Sequence, residues 1–374
     1  MVKMFFKLKP DLDLKICVVL PVKDEGETIL HCLDALRVQK HSDGTPFKTS
    51  QYEVLVLANN CRDNTYSIIK QYQNDYPDFS LQVEKIMFSQ VRANIGTARR
   101  FLMDIAYNRF ATLGRFKGII ASTDGDTQVD TFWLREIIKE IESGCDVVGG
   151  EIITELTSCY SRNYHLLDIR YHNFIARLEH LIDPLPYNPW PSHFQCFGAS
   201  LAITCEAYEK AGRLPRIPFL EDVAFCKALE LKDARIRRSP YVKVYTSSRT
   251  TGRVEKGLSQ QLAWFETLSN EQKELNVECA SSVISRIKMK KYLRTCWEGH
   301  AINSFQYPFN KGDVQKWISG ANYFGEVWAQ AEAFLQKEQW FNQWEDEYIE
   351  KVIQDLNNYE FEIEQYQDFS SEPT

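Results

Sequence analysis

Residues 15–25 read Lys-Ile-Cys-Val-Val-Leu-Pro-Val-Lys-Asp-Glu, an apolar run that ends abruptly in charged side chains. A short, uninterrupted apolar run is typical of a strand that is buried on both faces, as in a parallel sheet. The following residues, 27–39, place Ile29, Leu33 and Leu36 on one face of a helix. The beginning of the chain therefore predicts a strand, a polar loop and a helix that covers the strand.

The same alternation continues through the first two thirds of the chain. Further strands are predicted at residues 52–58, 81–87, 117–123, 145–152, 199–204 and 241–247. Helices are predicted at residues 64–76, 95–110, 131–143, 160–182 and 221–231. Because crossover helices cover both faces of such a sheet, the pattern predicts an α/β fold with a mostly parallel, doubly wound sheet.

Beyond residue 257 the pattern changes to helices with many Trp and Gln residues. We therefore predict a first domain at residues 1–256 and a mainly helical C-terminal extension at residues 257–374, which ends in an acidic tail. Residues 344–374 contain ten acidic residues and one basic residue, a charge of −9, so the total of −7 leaves +2 for residues 1–343. This body has no basic stripe, and a nucleic-acid partner is not expected.

The composition is that of a globular protein of 374 residues, with 44% hydrophobic and 25% charged residues. Its apolar runs are far shorter than the roughly 20 residues that cross a bilayer, so no transmembrane segment is expected, although peripheral membrane contact stays open. The ten cysteines form no Cys-x-x-Cys pair. Several lie in apolar segments, where a thiol behaves as a small hydrophobic group, and a cytoplasmic location is expected.

Polar residues follow three of the predicted strands, at residues 21–27, 59–65 and 123–126. Ligands of open α/β sheets collect outside the carboxyl ends of the strands, so we expect these loops to converge on one crevice. Asp124 and Asp126, separated by one glycine, can direct two carboxylates at a divalent cation, Mg²⁺ or Mn²⁺. The alternative is a turn with two solvated acids.

Two common nucleotide-binding motifs are missing from the sequence. It contains no Gly-x-x-x-x-Gly-Lys-Ser/Thr, and its first strand is not followed by Gly-x-Gly-x-x-Gly. Kinases, ATPases and nicotinamide enzymes are therefore disfavoured.

Five motifs make the chain resemble glycosyltransferase family 2, which comprises inverting enzymes of the GT-A fold. The likeness extends over about residues 14–250, and the motifs follow the family's order. They are residues 18–25, residues 57–65, residues 94–99, Asp124-Gly125-Asp126 and Glu221-Asp222.

The resemblance implies a role for several of these residues. Pro21, Val22 and Glu25 would face the donor nucleoside. Asp126 would be the principal metal ligand, and Asp124 would contact the ribose or the metal. The family often has an acidic pair after the second strand, where this chain has Ala58 and Asn59, so the resemblance leaves the donor base open.

The same resemblance identifies a catalytic pair, Glu221 and Asp222. Asp222 would be the general base that accepts the proton of an acceptor hydroxyl, on the side opposite the leaving diphosphate. The alternative is that two acids at the start of a helix simply favour its N-terminal dipole.

Further candidates lie in loops. The full set of predicted donor-binding residues is Pro21, Val22, Glu25, Asn59, Asn94, Arg99, Thr123, Asp124, Arg249 and Arg253. Arg249 and Arg253 suit a diphosphate, or they are solvated loop charges. On the acceptor side we place Trp190, His193, Gln195 and Gly198, a mixture of aromatic and hydrogen-bonding groups that binds sugars. For His193 alone, a structural role is the alternative.

The predicted activity is hexosyl transfer from a nucleoside-diphosphate sugar to a hydroxyl acceptor, assisted by a divalent metal, with domain 1–256 catalytic. Two alternatives remain at this point. One is a nucleotidyltransferase that makes a sugar nucleotide, although such an enzyme usually has a Gly-rich loop after its first strand. The other is a nucleotide-sugar-binding protein without turnover.

Overall fold

The predicted first strand is β1, Ile16–Val22, and all seven of its residues are buried. In a computed structural model, which describes residues 5–154, 161–248, 257–300 and 307–371, it belongs to a sheet with eight described strands. The others are β2 Tyr52–Asn59, β3 Leu81–Ile86, β4 Ile119–Ser122, β5 Thr127–Val129, β6 Val147–Thr154, β7 Leu201–Thr204 and β8 Ile236–Thr246. Their order is β3-β2-β1-β4-β7-β6-β8-β5.

The sheet is mixed, and parallel pairing prevails on one side of it. β3, β2, β1 and β4 are mutually parallel, and β6 is parallel to β8. Antiparallel pairing joins β7 to both β4 and β6, and β5 to β8. The carboxyl ends of β1, β2 and β4 therefore lie on one edge, as the strand-end loops predict.

Helices cover both faces of the sheet, which confirms the predicted α/β architecture. One face packs against α1 Ile29–Arg37, α2 Thr65–Asp75 and α4 Trp133–Glu142. The opposite face packs against α3 Ile95–Thr112 and two later helices. These are α6 Cys205–Lys210 and α7 Glu221–Glu230.

Two strands differ from the sequence prediction. β8 begins at Ile236 rather than near residue 241, because the register against β6 shifts between Gly150 and Glu151. This irregularity accommodates Pro240, which has no N–H group to donate to the ladder, so the strand continues past it. The three-residue β5, which follows the acidic turn, is too short to have a recognisable pattern.

The chain divides into two compact units, and the second contains residues 158–194, 230–233 and 262–374. Its main helices are α5 Ser161–Ile182, α9 Ala280–Trp297, α10 Lys311–Ser319, α11 Phe324–Lys337 and α12 Ile349–Ser371, together with α8 Leu258–Asn270 from residue 262 onward. β9 Asn276–Val277 and β10 Glu347–Tyr348 pair antiparallel within it. The predicted helical extension is therefore present, and residues 158–194 also belong to this unit. A domain boundary at residue 257 stays a prediction.

Most of the predicted acidic tail forms α12, which makes ion pairs with α5. Arg177 of α5 lies 2.9 Å from Glu360 and 2.8 Å from Glu364. Among the described residues, no helix combines the length and the apolar character that a membrane span requires.

A buried ion pair anchors the N-terminal segment to the sheet. Arg109 Nε donates to Glu53 Oε1 at 2.7 Å, and its Nη2 also contacts Glu53 Oε2. Arg109 Nη1 donates to the carbonyl oxygen of Leu8 at 2.8 Å. The side chain of Arg109 is 8% exposed and that of Glu53 is 3% exposed, so each buried charge needs the other as its counter-ion.

Replacing Glu53 by Gln should lower the free energy of unfolding by about 3–5 kcal/mol, because it leaves the Arg109 charge buried without a counter-ion. Urea denaturation followed by circular dichroism measures this. The matched control is Glu151→Gln, which removes a half-exposed contact of 3.9 Å to Lys243 and should change stability by less than about 1 kcal/mol. Equal losses in the two variants would contradict the proposed anchoring.

Candidate functional site

The loops after β1 and β2 are fastened to each other by two carboxylates. Asp24 Oδ1 accepts the backbone N–H groups of Arg62 and Asp63, at 2.6 and 3.3 Å. In return, Asp63 Oδ2 accepts the N–H of Gly26 at 3.0 Å. These two side chains and Cys61 place ligand atoms within 4.8 Å of one another. Because both carboxylates bind loop backbone, we assign them to shaping the loops.

The acidic turn after β4 lies against the loop after β1. A Cβ atom added to Gly125 would lie 2.8 Å from Val22 Cγ1 and 3.0 Å from Glu25 Cγ, so this close approach requires glycine. Thr28 Oγ1 bridges the same two segments, at 2.9 Å from Glu25 Oε2 and 3.3 Å from the carbonyl oxygen of Gly125. The structure therefore brings the ends of β1 and β4 together, as their strand-end positions predict.

Arg99 of α3 connects the acidic turn to the start of α7. Its Nη2 donates to Asp124 Oδ1 at 2.6 Å, and its Nη1 contacts Glu221 Oε1. Burial alone would lower the pKa of Arg99, but Asp124, Glu221 and Asp222 raise it above its ordinary value. The backbone at Gly198 covers the guanidinium so closely that a Cβ there would lie 2.3 Å from Nη1.

This placement changes the interpretation of Arg99. It was predicted to bind the donor, yet its side chain is only 4% exposed and both ends of its guanidinium face carboxylates of the protein. A buried guanidinium that bridges two carboxylates holds them in position. We therefore interpret Arg99 as a positioning residue.

The adjacent acids at the start of α7 have different surroundings. Asp222 is half-buried, and its Oδ2 accepts the N–H of Gly198 at 2.8 Å while its Oδ1 accepts the N–H of Val223 at 2.8 Å. Glu221 is 2% exposed. Burial raises the pKa of Glu221 although Arg99 lowers it. Of the two predicted catalytic acids, Asp222 is the one that solvent reaches, and Glu221 faces Arg99 inside the protein.

Replacing Arg99 by Lys should destabilise the fold by roughly 3–5 kcal/mol, because one ammonium group does not bridge both carboxylates and Glu221 stays buried. Urea denaturation measures the loss. The matched control is Arg235→Lys, because the Arg235 guanidinium also binds a carboxylate, with its Nη2 2.8 Å from Asp146 Oδ1, but its side chain is 52% exposed. The control should lose roughly 1 kcal/mol. A loss at Arg99 no larger than that of the control would refute the bridging role.

Negative charge is concentrated at the acidic turn. Burial raises the pKa of Asp124, Arg99 lowers it and Asp126 raises it again, and the balance lies above the ordinary value. Burial raises the pKa of the Cys32 thiol beside the turn, and Asp126, Asp124 and Glu25 raise it further. A cation would relieve this repulsion, and carboxylate oxygens suit Mg²⁺ or Mn²⁺. The residues of the turn therefore fit a divalent metal.

The other predicted donor-side residues have mixed placements. Asn59 ends β2, Thr123 follows β4, and one side-chain oxygen of each is buried without a hydrogen-bond partner in the described part of the chain. Asn94 Oδ1 instead caps α3, where it accepts the N–H of Thr97 at 2.8 Å. Arg249 and Arg253 lie outside the described residues.

The predicted acceptor-side residues are divided between the two units. Trp190 and His193 belong to the second unit, whereas Gln195 and Gly198 belong to the first. Gln195 Oε1 accepts the N–H of Ile152 at 2.7 Å, which ties its segment to β6. Gly198 packs against the guanidinium of Arg99, and its N–H donates to Asp222.

Sequence reasoning did not single out two threonines that organise the first loop. Thr28 contacts Glu25 and the acidic turn, and Thr65 Oγ1 accepts the N–H of Glu25 at 2.8 Å. Their signal is the general tendency of threonine to bind backbone and carboxylate groups near helix starts, which is too common to identify a site.

The sequence of this chain matches a known protein family. The family model for Glycosyl transferase family 2 matches residues 17–200. Glycosyltransferase AglE of Haloferax volcanii is 28% identical over 139 residues, which are 37% of this chain and 39% of AglE. The alignment therefore spans about two fifths of that relative.

Two solved structures are similar to this chain over most of its length. S. aureus TarS 1–349 in complex with UDP-GlcNAc gives a TM-score of 0.46 at 14% identity, over 82% of this chain and 79% of that one. The mannosyltransferase PcManGT from Pyrobaculum calidifontis, in complex with GDP-Man and Mn²⁺, gives 0.42 at 13% identity, over 88% and 90%. The family-model match shows that residues 17–200 of the chain belong to glycosyltransferase family 2.

Proposed function

We propose that the protein transfers a sugar, with inversion, from a nucleoside-diphosphate donor to a hydroxyl acceptor, with the help of a divalent metal. One observation carries this proposal: Arg99 joins the carboxylate of Asp124 to the start of α7, where Asp222 stays half-exposed. A metal-binding turn and a solvent-reached carboxylate are thereby supported by one buried side chain. In a metal-assisted inverting displacement, the turn would hold the cation and the carboxylate would accept the proton of the acceptor hydroxyl.

The metal would be held by Asp126 and Asp124. Asp126 is half-buried on the same turn, and we propose it as the principal ligand beside Asp124, to which Arg99 donates. Both residues would supply carboxylate oxygens, the ligand type that Mg²⁺ and Mn²⁺ prefer. When bound, the metal supplies positive charge that stabilises the departing diphosphate. The turn supports this arrangement, because burial raises the pKa of Asp124, Arg99 lowers it and Asp126 raises it, so a cation would relieve the repulsion between the two acids.

Asp222 would remove the proton of the acceptor hydroxyl. As the acceptor oxygen bonds to the anomeric carbon, the bond from that carbon to the diphosphate oxygen breaks and the configuration inverts. The proton passes to the Asp222 carboxylate. The N–H of Gly198, which donates to Asp222 Oδ2 at 2.8 Å, orients the carboxylate for this transfer. Glu221 is buried against Arg99, so we propose that it holds the start of α7 in position and does not contact the substrate.

We propose that the donor nucleoside lies beside Pro21, Val22 and Glu25, at the end of β1. Asn59 is the candidate for reading the base, since its buried Oδ1 has no partner within the described ranges. A buried acceptor atom without a partner is costly, and a ligand donor group would satisfy it. Trp190, His193, Gln195 and Gly198 remain proposed acceptor-side residues. Arg249 and Arg253 remain proposed diphosphate contacts.

The proposal is tested by incubating the protein with UDP-, GDP- and TDP-linked sugars, with Mn²⁺ or Mg²⁺, and a panel of hydroxyl acceptors. Release of nucleoside diphosphate together with a glycosylated product supports it. Pyrophosphate release from a sugar phosphate and a nucleoside triphosphate would instead identify a nucleotidyltransferase. Donor binding with neither transfer nor hydrolysis would identify a non-catalytic binding protein.

A further inference from the structure

Two cysteines that are 30 residues apart in the sequence meet in the first unit. The sulfur atoms of Cys196 and Cys226 are separated by 2.7 Å. Cys226 Sγ also lies 3.0 Å from the carbonyl oxygen of Cys196. A disulfide has a sulfur–sulfur length of about 2.05 Å, so a bond between these atoms requires a shift of less than roughly 1 Å.

The pair lies next to the proposed general base. Cys226 follows Asp222 by four residues on α7, so the two side chains lie on the same face of the helix. Cys196 precedes Gly198 by two residues, and the N–H of Gly198 donates to Asp222 Oδ2. The sulfur contact and this hydrogen bond therefore lie between the same two segments, residues 196–198 and α7.

The surroundings of the pair differ from those of the other thiols on the sheet. Cys17, Cys32 and Cys205 are buried, and burial is the main cause that raises the pKa of each. Such thiols form little thiolate and react slowly. Cys226 is half-buried and Cys196 is 5% exposed, so Cys226 is the more accessible of the two.

We propose that Cys196 and Cys226 are a site of reversible oxidation to a disulfide. With a disulfide such as oxidised glutathione as the oxidant, the Cys226 thiolate attacks one sulfur, breaks the glutathione disulfide and releases one glutathione. The Cys196 thiolate then attacks the Cys226 sulfur and releases the second. Two protein thiols lose two electrons and two protons, and one oxidised glutathione becomes two reduced molecules. The bond locks the segment at residues 196–198 onto α7.

The test treats the full chain with oxidised glutathione, alkylates the remaining thiols and maps peptides without reduction. The expected result is a cross-linked peptide pair that contains Cys196 and Cys226, lighter by two hydrogens than the separate peptides, and reversed by dithiothreitol. Amide hydrogen exchange in residues 196–198 and 222–226 should slow in the oxidised protein, because the bond opposes local opening. These readouts do not depend on transfer activity, so they stand or fall separately from the proposed function.

Control variants separate this pair from general thiol oxidation. Cys226→Ser and Cys196→Ser should each abolish the cross-link, whereas Cys296→Ser, which removes a half-buried thiol of the second unit, should leave its yield unchanged. A glutathione adduct that stays on Cys226, a cross-link to any other cysteine, or thiols that resist the oxidant would each overturn the proposal.

Discussion

Asp126→Asn lowers the rate of sugar transfer by at least about 10²–10³-fold at saturating metal, if the turn after β4 holds the cation. The amide is nearly isosteric with the carboxylate but has no negative charge, and metal charge on a departing group contributes several kcal/mol to catalysis. Because asparagine has nearly the shape of aspartate, the stability of the fold should change by no more than about 1 kcal/mol. Initial rates over a range of Mn²⁺ concentrations, with the melting temperature, measure both effects.

The matched control for this substitution is Asp130→Asn. Asp130 follows β5, and its Oδ1 accepts the N–H of Phe132 at 2.9 Å, so it has a local structural role four residues beyond Asp126. The transfer rate of Asp130→Asn should stay within about two- to threefold of the wild-type rate. Full activity of Asp126→Asn at saturating Mn²⁺ would remove the metal assignment.

Asp222→Asn should bind the donor as the wild type does and yet lose about 10²–10⁴-fold in turnover. The amide oxygen still accepts the N–H of Gly198, so the segment keeps its position, but the side chain no longer accepts a proton from the acceptor hydroxyl. Single-turnover rates with a labelled donor and donor affinity from calorimetry distinguish the two effects.

Glu221→Gln is the matched control for the adjacent acid. Glu221 is buried against Arg99, so its substitution should lower the melting temperature by more than Asp222→Asn does. The general-base role would be refuted by a normal rate in Asp222→Asn. A loss of donor affinity equal to its loss of rate would show that Asp222 serves binding instead.

The parts of the fold that depend on local pattern were predictable. The apolar run of β1 and the period of α1 are readable within a few residues, and so is the placement of Asp124 directly after a strand. The start of β8 was not readable, because Pro240 normally ends a ladder and only the irregular register against β6 accommodates it.

The site was predictable only as far as the strand ends determine it. The sequence places Arg99 among donor-binding residues, since an arginine near a diphosphate site is common. Its partner Glu221 lies 122 residues away in the chain, and a contact between residues so far apart leaves no periodic pattern in the sequence. The meeting of Cys196 and Cys226 likewise depends on how α7 packs beside the segment before β7, which no local pattern encodes.

The measurement that tests the central claim most directly is calorimetric titration of the wild type and Asp126→Asn with a nucleoside-diphosphate sugar, with and without Mn²⁺. The account predicts that Mn²⁺ tightens donor binding to the wild type by at least about tenfold, a free-energy difference of about 1.4 kcal/mol. The variant should show no such gain. Equal tightening in both proteins, or none in the wild type, would contradict a metal held at the acidic turn.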